Sequence, residues 1–379
     1  NPDTCDGAGS CSDNHEPAGT ACSDTTPPGP GGNCLFSGCD GAGTCDQSHQ
    51  AEPAGGACGD QTDDVCTNPD VCAAGGICEP NDEALFVGPC RFLVLGEYTF
   101  NRKSRGTKFV GGREAVVTGD ICTPKARLAK DSSYDGDVIL VRTPETRSRY
   151  LLKTASGVSV TGDVVTEDLG VRGLSSDGAF GTGEKRILAD AVVPMPVGGV
   201  IDTTGDHVDV TVCQAAQTDV TDMAATVDTL FETQGAHQDL GKFFVRRGQT
   251  ATITATVPGG LNLIHARKLG VHRDATLRLD AGGDSDTVFL IRSASRLGVG
   301  RAGRIELING TDPSNVLFYV ARGLAMIARE AVGGGAVLAP LGVIHLKRDA
   351  TWTGAFASRR GLASARGSTL THAPFLGLQ

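Results

Sequence analysis

The sequence predicts a mainly β protein: a β-solenoid body with one long flanking α-helix, preceded by a loop-rich, disulfide-stapled repeat arm. Three observations carry this. Eleven of the 13 cysteines fall at or before Cys90, and every Lys and Arg falls after it. Beyond that point short β-branched segments divided by Gly, Asn and Asp fill the chain, and one stretch alone has a helical period.

The arm comes first. Cys34, Cys39, Cys45 and Cys58 form one group of four, and Cys66, Cys72, Cys78 and Cys90 form a second with nearly the same spacing. Cys5, Cys11 and Cys22 fit the last three places of an earlier group. Asn1-Pro2-Asp3-Thr4-Cys5 also aligns with Asn68-Pro69-Asp70-Val71-Cys72, so the chain is expected to begin inside a repeat, with the partner of the odd cysteine upstream. A free thiol, or a natural mature end at Asn1, is the alternative. If the two complete groups close among themselves, Cys122 and Cys213 are left to bond with each other.

Residues 1–78 contain no Trp or Tyr and only Phe36 among the Phe, so burial cannot hold these repeats together. Repeats of this size need cross-links that shrink the unfolded ensemble. Disulfides in turn imply an oxidising compartment, hence a secreted, extracellular or cell-surface protein. Zinc is the competing reading of clustered cysteines. It is disfavoured because the dominant spacing is C-x5-C, and His15 and His49 do not recur with the groups.

Charge marks the domain boundary. Residues 1–90 carry eleven Asp, four Glu and no base, a charge of −15; with −10 for the whole chain, residues 91–379 carry +5. Domains are therefore expected at 1–90, the acidic repeat arm, and 91–379, the solenoid.

In the body, "FLVLGEYTF", "AVVTGDI", "DVILVRT", "TATITATV", "ATLRLDAGG", "DTVFLIR", "NVLFYV" and "AVLAPLGVIHL" read as strands. From about residue 260 they recur at uneven intervals near 20 residues, about one solenoid coil. A β-sandwich of similar strand count is the competing all-β answer. In "CQAAQTDVTDMAATVDTLFETQ", Ala216, Val220, Met223, Val227 and Leu230 are spaced at helical intervals, and Ala224 and Phe231 widen the stripe. This predicts one amphipathic helix of about 20 residues lying along one side of the strands.

"LVLGEYTF" with "FVGGREAVVTGDI", the mid-chain helix, "LINGTDPSNVLFYV", "GAVLAPLGVIHL" and "STLTHAPFLG" resemble, in order and spacing, the choice-of-anchor A domain, a bacterial surface module related to the ice-binding-like β-solenoids. The resemblance spans about residues 92–377. It implies a right-handed solenoid flanked by a long helix, export, and an adhesive role. The arm resembles the "CDGxGxC" cysteine-rich arrays of bacterial surface proteins.

Asp280, Asp284 and Asp286 in "LRLDAGGDSD" offer carboxylates for hydrolysis or calcium, but Gly282 and Gly283 make a turn the better account. His265 and His272 stand in strand-rich sequence and are expected to pack or be solvated. "GDQTDDVCTNPD" lacks an EF-hand register, so the arm offers weak calcium binding at most. Arg102, Lys103, Arg105, Lys108 and Arg113 read as an exposed strand face, with no nucleic acid expected at a pI near 5.3. Thr250, Thr252, Thr254 and Thr256 share one strand face, and a single row does not make an ice-binding plane.

These readings converge on a non-enzymatic extracellular protein with no cofactor and no assigned metal ligand. Its solenoid body would serve surface attachment or self-assembly, with the arm as stalk or inter-subunit connector. Head-to-tail self-association through the acidic arm would make it a filament subunit. The alternative is a carbohydrate- or ice-binding module on a cell-surface stalk.

Overall fold

The chain divides into two compact units, Asn1–Glu83 and Ala84–Gln379. A computed structural model describes six short strands of the first unit, together with residues 92–96, 109–141, most of 152–166, 171–173, 201–202, 208–234 and 237–376 of the second.

In the first unit the C-x5-C spacing closes three antiparallel strand pairs. Thr4–Cys5 pairs with Cys11–Ser12, Leu35–Cys39 with Cys45–Ala51, and Asn68–Cys72 with Cys78–Asn81. Their registers set residue 5 opposite 11, 39 opposite 45, and 72 opposite 78. The pairing of these cysteine side chains, and of Cys22, Cys34, Cys58, Cys66 and Cys90, lies outside the described residues.

The second unit is mainly β. Three parallel sheets, here A, B and C, stack in a solenoid, and each coil contributes one strand to each sheet. Coil length is less regular than an interval near 20 residues. Leu263 faces Leu290 and Leu290 faces Leu317, steps of 27 residues, whereas Leu317 faces Ala336 and Val337 faces Phe356, steps of 19. Ile121 faces Val138 after only 17. In the long coils that follow Leu261 the extra residues sit at the corner between sheets C and A, as in Gly282–Thr287 and Asn309–Asn315.

Coil order does not follow chain order. Val94–Gly96 sits in the middle of sheet A, and coils grow from it through Ile121–Thr123, Val138–Leu140 and Val164–Thr166 to Ile201–Asp202 at one end. The chain resumes at the far end with Gln238–Asp239 and coils inward to Phe356–Ser358, which pairs with Val94–Gly96. This seam runs through all three sheets, since Leu362 pairs with Phe109 and Thr369 with Val116.

Such an order obliges the chain to cross the whole of sheet A. Eleven strands at about 4.8 Å span about 48 Å. A 26-residue helix, α1 (Val208–Thr233), covers about 39 Å of that return. It is longer than the stretch with a clear apolar period, and the stripe lies where that period put it. Ala216, Val220, Met223, Ala224, Val227 and Phe231 are buried, and Leu230 is partly so.

The helix explains why sheet A is apolar on both faces. In Val316–Val320, Val316, Phe318 and Val320 point into the solenoid core while Leu317 and Tyr319 point to the helix side, and all five are buried. Strands of sheets B and C instead alternate, as in Ala126–Leu128 and Val116–Thr118. Two polar links fix α1. Asp228 accepts hydrogen bonds from Arg292 Nε and the Tyr319 hydroxyl, both at 2.9 Å. Near the other end of the helix, a disulfide joins Cys122 to Cys213. Among the described residues, no helix is long and apolar enough to cross a membrane.

Val227→Asp should destabilise the body by about 3 kcal/mol or more, because a carboxylate replaces a fully buried methyl pair. Leu230→Asp, at a partly buried position, should cost less. Thermal unfolding orders the two. Replacing both Cys122 and Cys213 by Ala should cost about 2–4 kcal/mol, since the bond closes a separation of 91 residues. Denaturant titration reads that loss.

Candidate functional site

Sheet C places threonines from distant parts of the chain on one surface. Its central strands, in spatial order, are Ser159–Val160, Ser133–Asp135, Val116–Thr118, Thr369–Thr371, Thr351–Thr353 and Val332–Gly334. Within each strand alternate residues face out. Thr351 stands beside Thr369 and Thr369 beside Val116; Thr353 stands beside Thr371 and Thr371 beside Thr118. Ser133 and Asp135 continue the two columns. The surface is a grid with steps of about 6.7 Å along strands and about 4.8 Å between them, about 24 Å long over six strands.

The inward residues hold this grid in place. Trp352, Leu370, Val117 and Tyr134 are fully buried beneath it. The Trp352 indole donates to the Gly335 carbonyl at 2.8 Å, and its ring fills the space beside Gly333, where a Cβ would fall 2.5 Å from it. Burial pushes the Tyr134 hydroxyl well above its ordinary pKa, so it stays neutral.

Both edges of the grid are sharp corners. On the side of sheet B five of the six coils turn through a basic residue followed by a residue with positive φ: Arg113-Glu114, Lys130-Asp131, Arg329-Glu330 and Arg348-Asp349, with Gly367 after Arg366; the sixth has Gly157 after residue 156. The N–H of each turn residue bonds the carbonyl of the basic residue one coil on, as Asp349 to Arg366, Gly367 to Arg113 and Glu114 to Lys130, at 2.9–3.0 Å. On the side of sheet A the corner is Gly119, Gly335 or Gly354. A Cβ at Gly354 would lie 2.2 Å from the Gly335 carbonyl oxygen, so glycine is required there.

Ion pairs stay at the corner or beyond the grid. Arg366 makes two hydrogen bonds to Glu114, at 2.8 and 2.9 Å, across the seam, and these hold the Glu114 carboxyl below its usual range. Asp135 is the one charged side chain in the two columns from Val332 to Ser159, and it accepts a bond from the Thr161 hydroxyl at 2.6 Å.

The threonine row visible in the sequence lies elsewhere. Thr250, Thr252 and Thr254 occupy the last strand of sheet C, separated from the grid by coils carrying Arg278 and Glu306, which pair at 2.9 Å. Thr256 follows that strand and bonds the Asn262 side chain. The grid was missed because its two halves, neighbours in space at the seam, lie about 250 residues apart in the chain, as Val116 and Thr369 do. Its signal was Val-x-Thr at 116–118 and Thr-x-Thr at 351–353 and 369–371, each two residues after a basic corner pair.

The remaining candidates are dispersed. Asp280 accepts from the Gly282 N–H and from Asn309 Nδ2, and Asp284 from the Asp286 N–H, at 2.9–3.0 Å; they organise a corner insertion containing Gly282 and Gly283 at positive φ. His265 of sheet A stands 3.4 Å from Asp239, while His272, after sheet B, meets Phe244 edge-on at 5.7 Å. Arg113 belongs to the corner ladder; Arg102, Lys103, Arg105 and Lys108 lie outside the described residues.

The profile of the family described as ice-binding-like matches residues 152–370. The chain belongs to that family. Among solved structures, an ice-binding protein from the Antarctic ascomycete Antarctomyces psychrotrophicus is 15% identical with a TM-score of 0.42, over 76% of this chain and 97% of that one. The ice-binding protein 1 domain of Shewanella frigidimarina is 17% identical with a TM-score of 0.40, over 76% and 97%. An ice-binding protein with antifreeze activity from an Arctic yeast is 13% identical with a TM-score of 0.38, over 76% and 94%. A search of curated proteins finds no match.

The Glu114–Arg366 bridge should make the seam sensitive to acid. Its carboxyl titrates below the ordinary 4.5, so its contribution is present above that pH and lost as pH falls through the lowered value. Thermal unfolding followed from about pH 5 to 3 should show a shallower loss in Glu114→Gln than in the parent protein.

Proposed function

We propose that the body is an ice-binding module and that the outward face of sheet C, from Val332 to Ser159, is its ligand surface. The observation that carries this reading is the pair of columns Thr351–Thr369–Val116 and Thr353–Thr371–Thr118. A solid water surface offers a periodic array of donors and acceptors, and matching it takes a periodic, rigid and nearly uncharged partner. Threonine supplies a hydroxyl and a methyl at the five grid points it holds in the three central rows, with χ1 held stiff by its branched Cβ. Each contact is weak, so the number of rows in register decides affinity, and rigidity removes the ordering cost that a flexible surface would add.

Family membership supports the same reading. The Cys122–Cys213 disulfide supports an oxidising, extracellular setting. In that setting the cysteine-rich arm is a stalk that carries the module away from its point of attachment. Attachment of a cell or an assembly to ice would then be the adhesive role.

The test is substitution on the grid. Thr353→Lys and Thr371→Lys should each abolish most thermal hysteresis and ice-affinity partitioning, while stability stays within about 0.5 kcal/mol because both side chains face out. Thr252→Lys, on the isolated row, should leave activity unchanged. Full activity in Thr371→Lys, or its loss in Thr252→Lys alone, would overturn the assignment.

A further inference from the structure

Sheet B carries a second candidate site, on a different face from the threonine grid and independent of the ice-binding reading. Phe244, Gly270, Gly298 and Met326 stand in register at outward positions of four consecutive coils. The glycines leave a trough of about 300 Å³ between the ring and the thioether.

Glycine inside a strand costs about 0.5–1 kcal/mol relative to alanine and often marks close approach of a ligand or another backbone. Neither glycine has a positive φ, and the ladder passes both without a bulge. Packing accounts for Gly270, because a Cβ there would fall 2.5 Å from the Phe244 ring. It does not account for Gly298, where a Cβ would meet nothing nearer than Arg296 Nε at 3.6 Å. Phe244 itself is 45% exposed, although it is large and apolar.

The rim is basic. Lys268 and Arg296 precede the paired residues Leu269 and Leu297 on one side, with Lys242 one coil further along the same column. None of these three makes an ion pair among the described residues. Arg296 Nη2 instead reaches the Met326 sulfur at 4.0 Å. His272 and Arg273 border the other side, and Arg273 pairs with Asp274 at 3.1 Å. No carboxylate lines the trough itself.

We propose that this trough binds an acidic sugar residue of a polysaccharide. The C–H face of the pyranose would lie against Phe244 and the glycine floor, with its carboxylate between Lys268 and Arg296, where charge-assisted hydrogen bonds are strongest. The polymer would run along the solenoid axis, because Lys242, Lys268 and Arg296 repeat once per coil, about 4.8 Å apart. A polymer of phosphates offers the charge without the ring, and the experiment separates the two.

Calorimetry of the full chain with an alginate hexasaccharide, with cellohexaose and with inorganic polyphosphate tests this. The uronate oligomer should bind saturably, the neutral oligomer at least about tenfold more weakly, and polyphosphate should not displace it. Gly298→Val fills the floor with a residue suited to an exposed strand, and should abolish binding with the melting curve unchanged. Lys268→Gln with Arg296→Gln should weaken binding at least about tenfold. Thr371→Lys should leave it intact, so failure here and failure of the ice-binding reading are separable. Absence of uronate binding, survival of binding in folded Gly298→Val or in the Lys268→Gln/Arg296→Gln pair, or equal competition by polyphosphate would overturn the proposal.

Discussion

A stack of parallel strands ends in a row of unpaired N–H and C=O groups, and a chain that starts in the middle of its own stack has such a row at its first coil. Here that row is covered by the last coil: the Phe356 N–H bonds the Leu93 carbonyl at 2.7 Å, His372 bonds Thr118 at 2.8 Å, and Gly367 bonds Arg113 at 2.9 Å. Much of the body depends on this closure. It sends the first coils outward in one direction and forces the later ones to arrive from the other. It thereby makes a long return path necessary, and α1 is that path. The helix in turn needs an apolar bed, which is why Leu317, Leu338 and Ile139 lie on the helix side of sheet A rather than polar residues.

These dependencies decide what could be read from the sequence. The helix was legible because its stripe alternates steps of three and four residues over about four turns, a period no strand shares. The strands were legible as strands, and their assignment to sheets was available too. Runs such as Val316–Val320 are buried throughout, whereas Thr351–Thr353 alternates, so continuous and alternating patterns mark covered and open sheets. Coil length was harder to see, because insertions stretch some coils to 27 residues and leave others at 17 or 19. The pairing of Val94 with Phe356 has no local signature, since each strand end would accept any parallel neighbour.

The corner repeat was present in the sequence in plain form. Arg247-Gly248-Gln249, Arg273-Asp274-Ala275, Arg301-Ala302-Gly303, Arg348-Asp349-Ala350 and Arg113-Glu114-Ala115 all place a base, a residue in the left-handed region and a third residue before a strand of sheet C. Left-handed backbone costs about 1–2 kcal/mol for most side chains, and Asp tolerates it better than Glu or Ala. The same cost, accepted at Glu114, Ala302 and Glu330, shows that stacking overrides local preference. Arg113, read as part of an exposed strand face, is one of a series of corner bases that recur in nearly every coil. Aligning coils on them, instead of on the strands, brings 116–118, 351–353 and 369–371 into the same column.

That alignment also explains why the grid lies where it does. In the coils that follow Leu261 sheet C continues into an insertion before it reaches sheet A, and the outward positions there hold Arg278, Asp280, Arg304 and Glu306, of which Arg278 and Glu306 pair across coils. In the grid's coils the chain leaves sheet C at once, in most of them through glycine, after entering it through a left-handed residue. Three-residue strands with two outward positions each are what remains, and β-branched residues fill them. Flatness and lack of charge are thus properties of coils with a tight corner between sheets C and A, and the seam gathers those coils from both ends of the body into one surface. A coil with an insertion at that corner would interrupt the grid even if its strand still read Thr-x-Thr, as the isolated Thr250–Thr254 strand does.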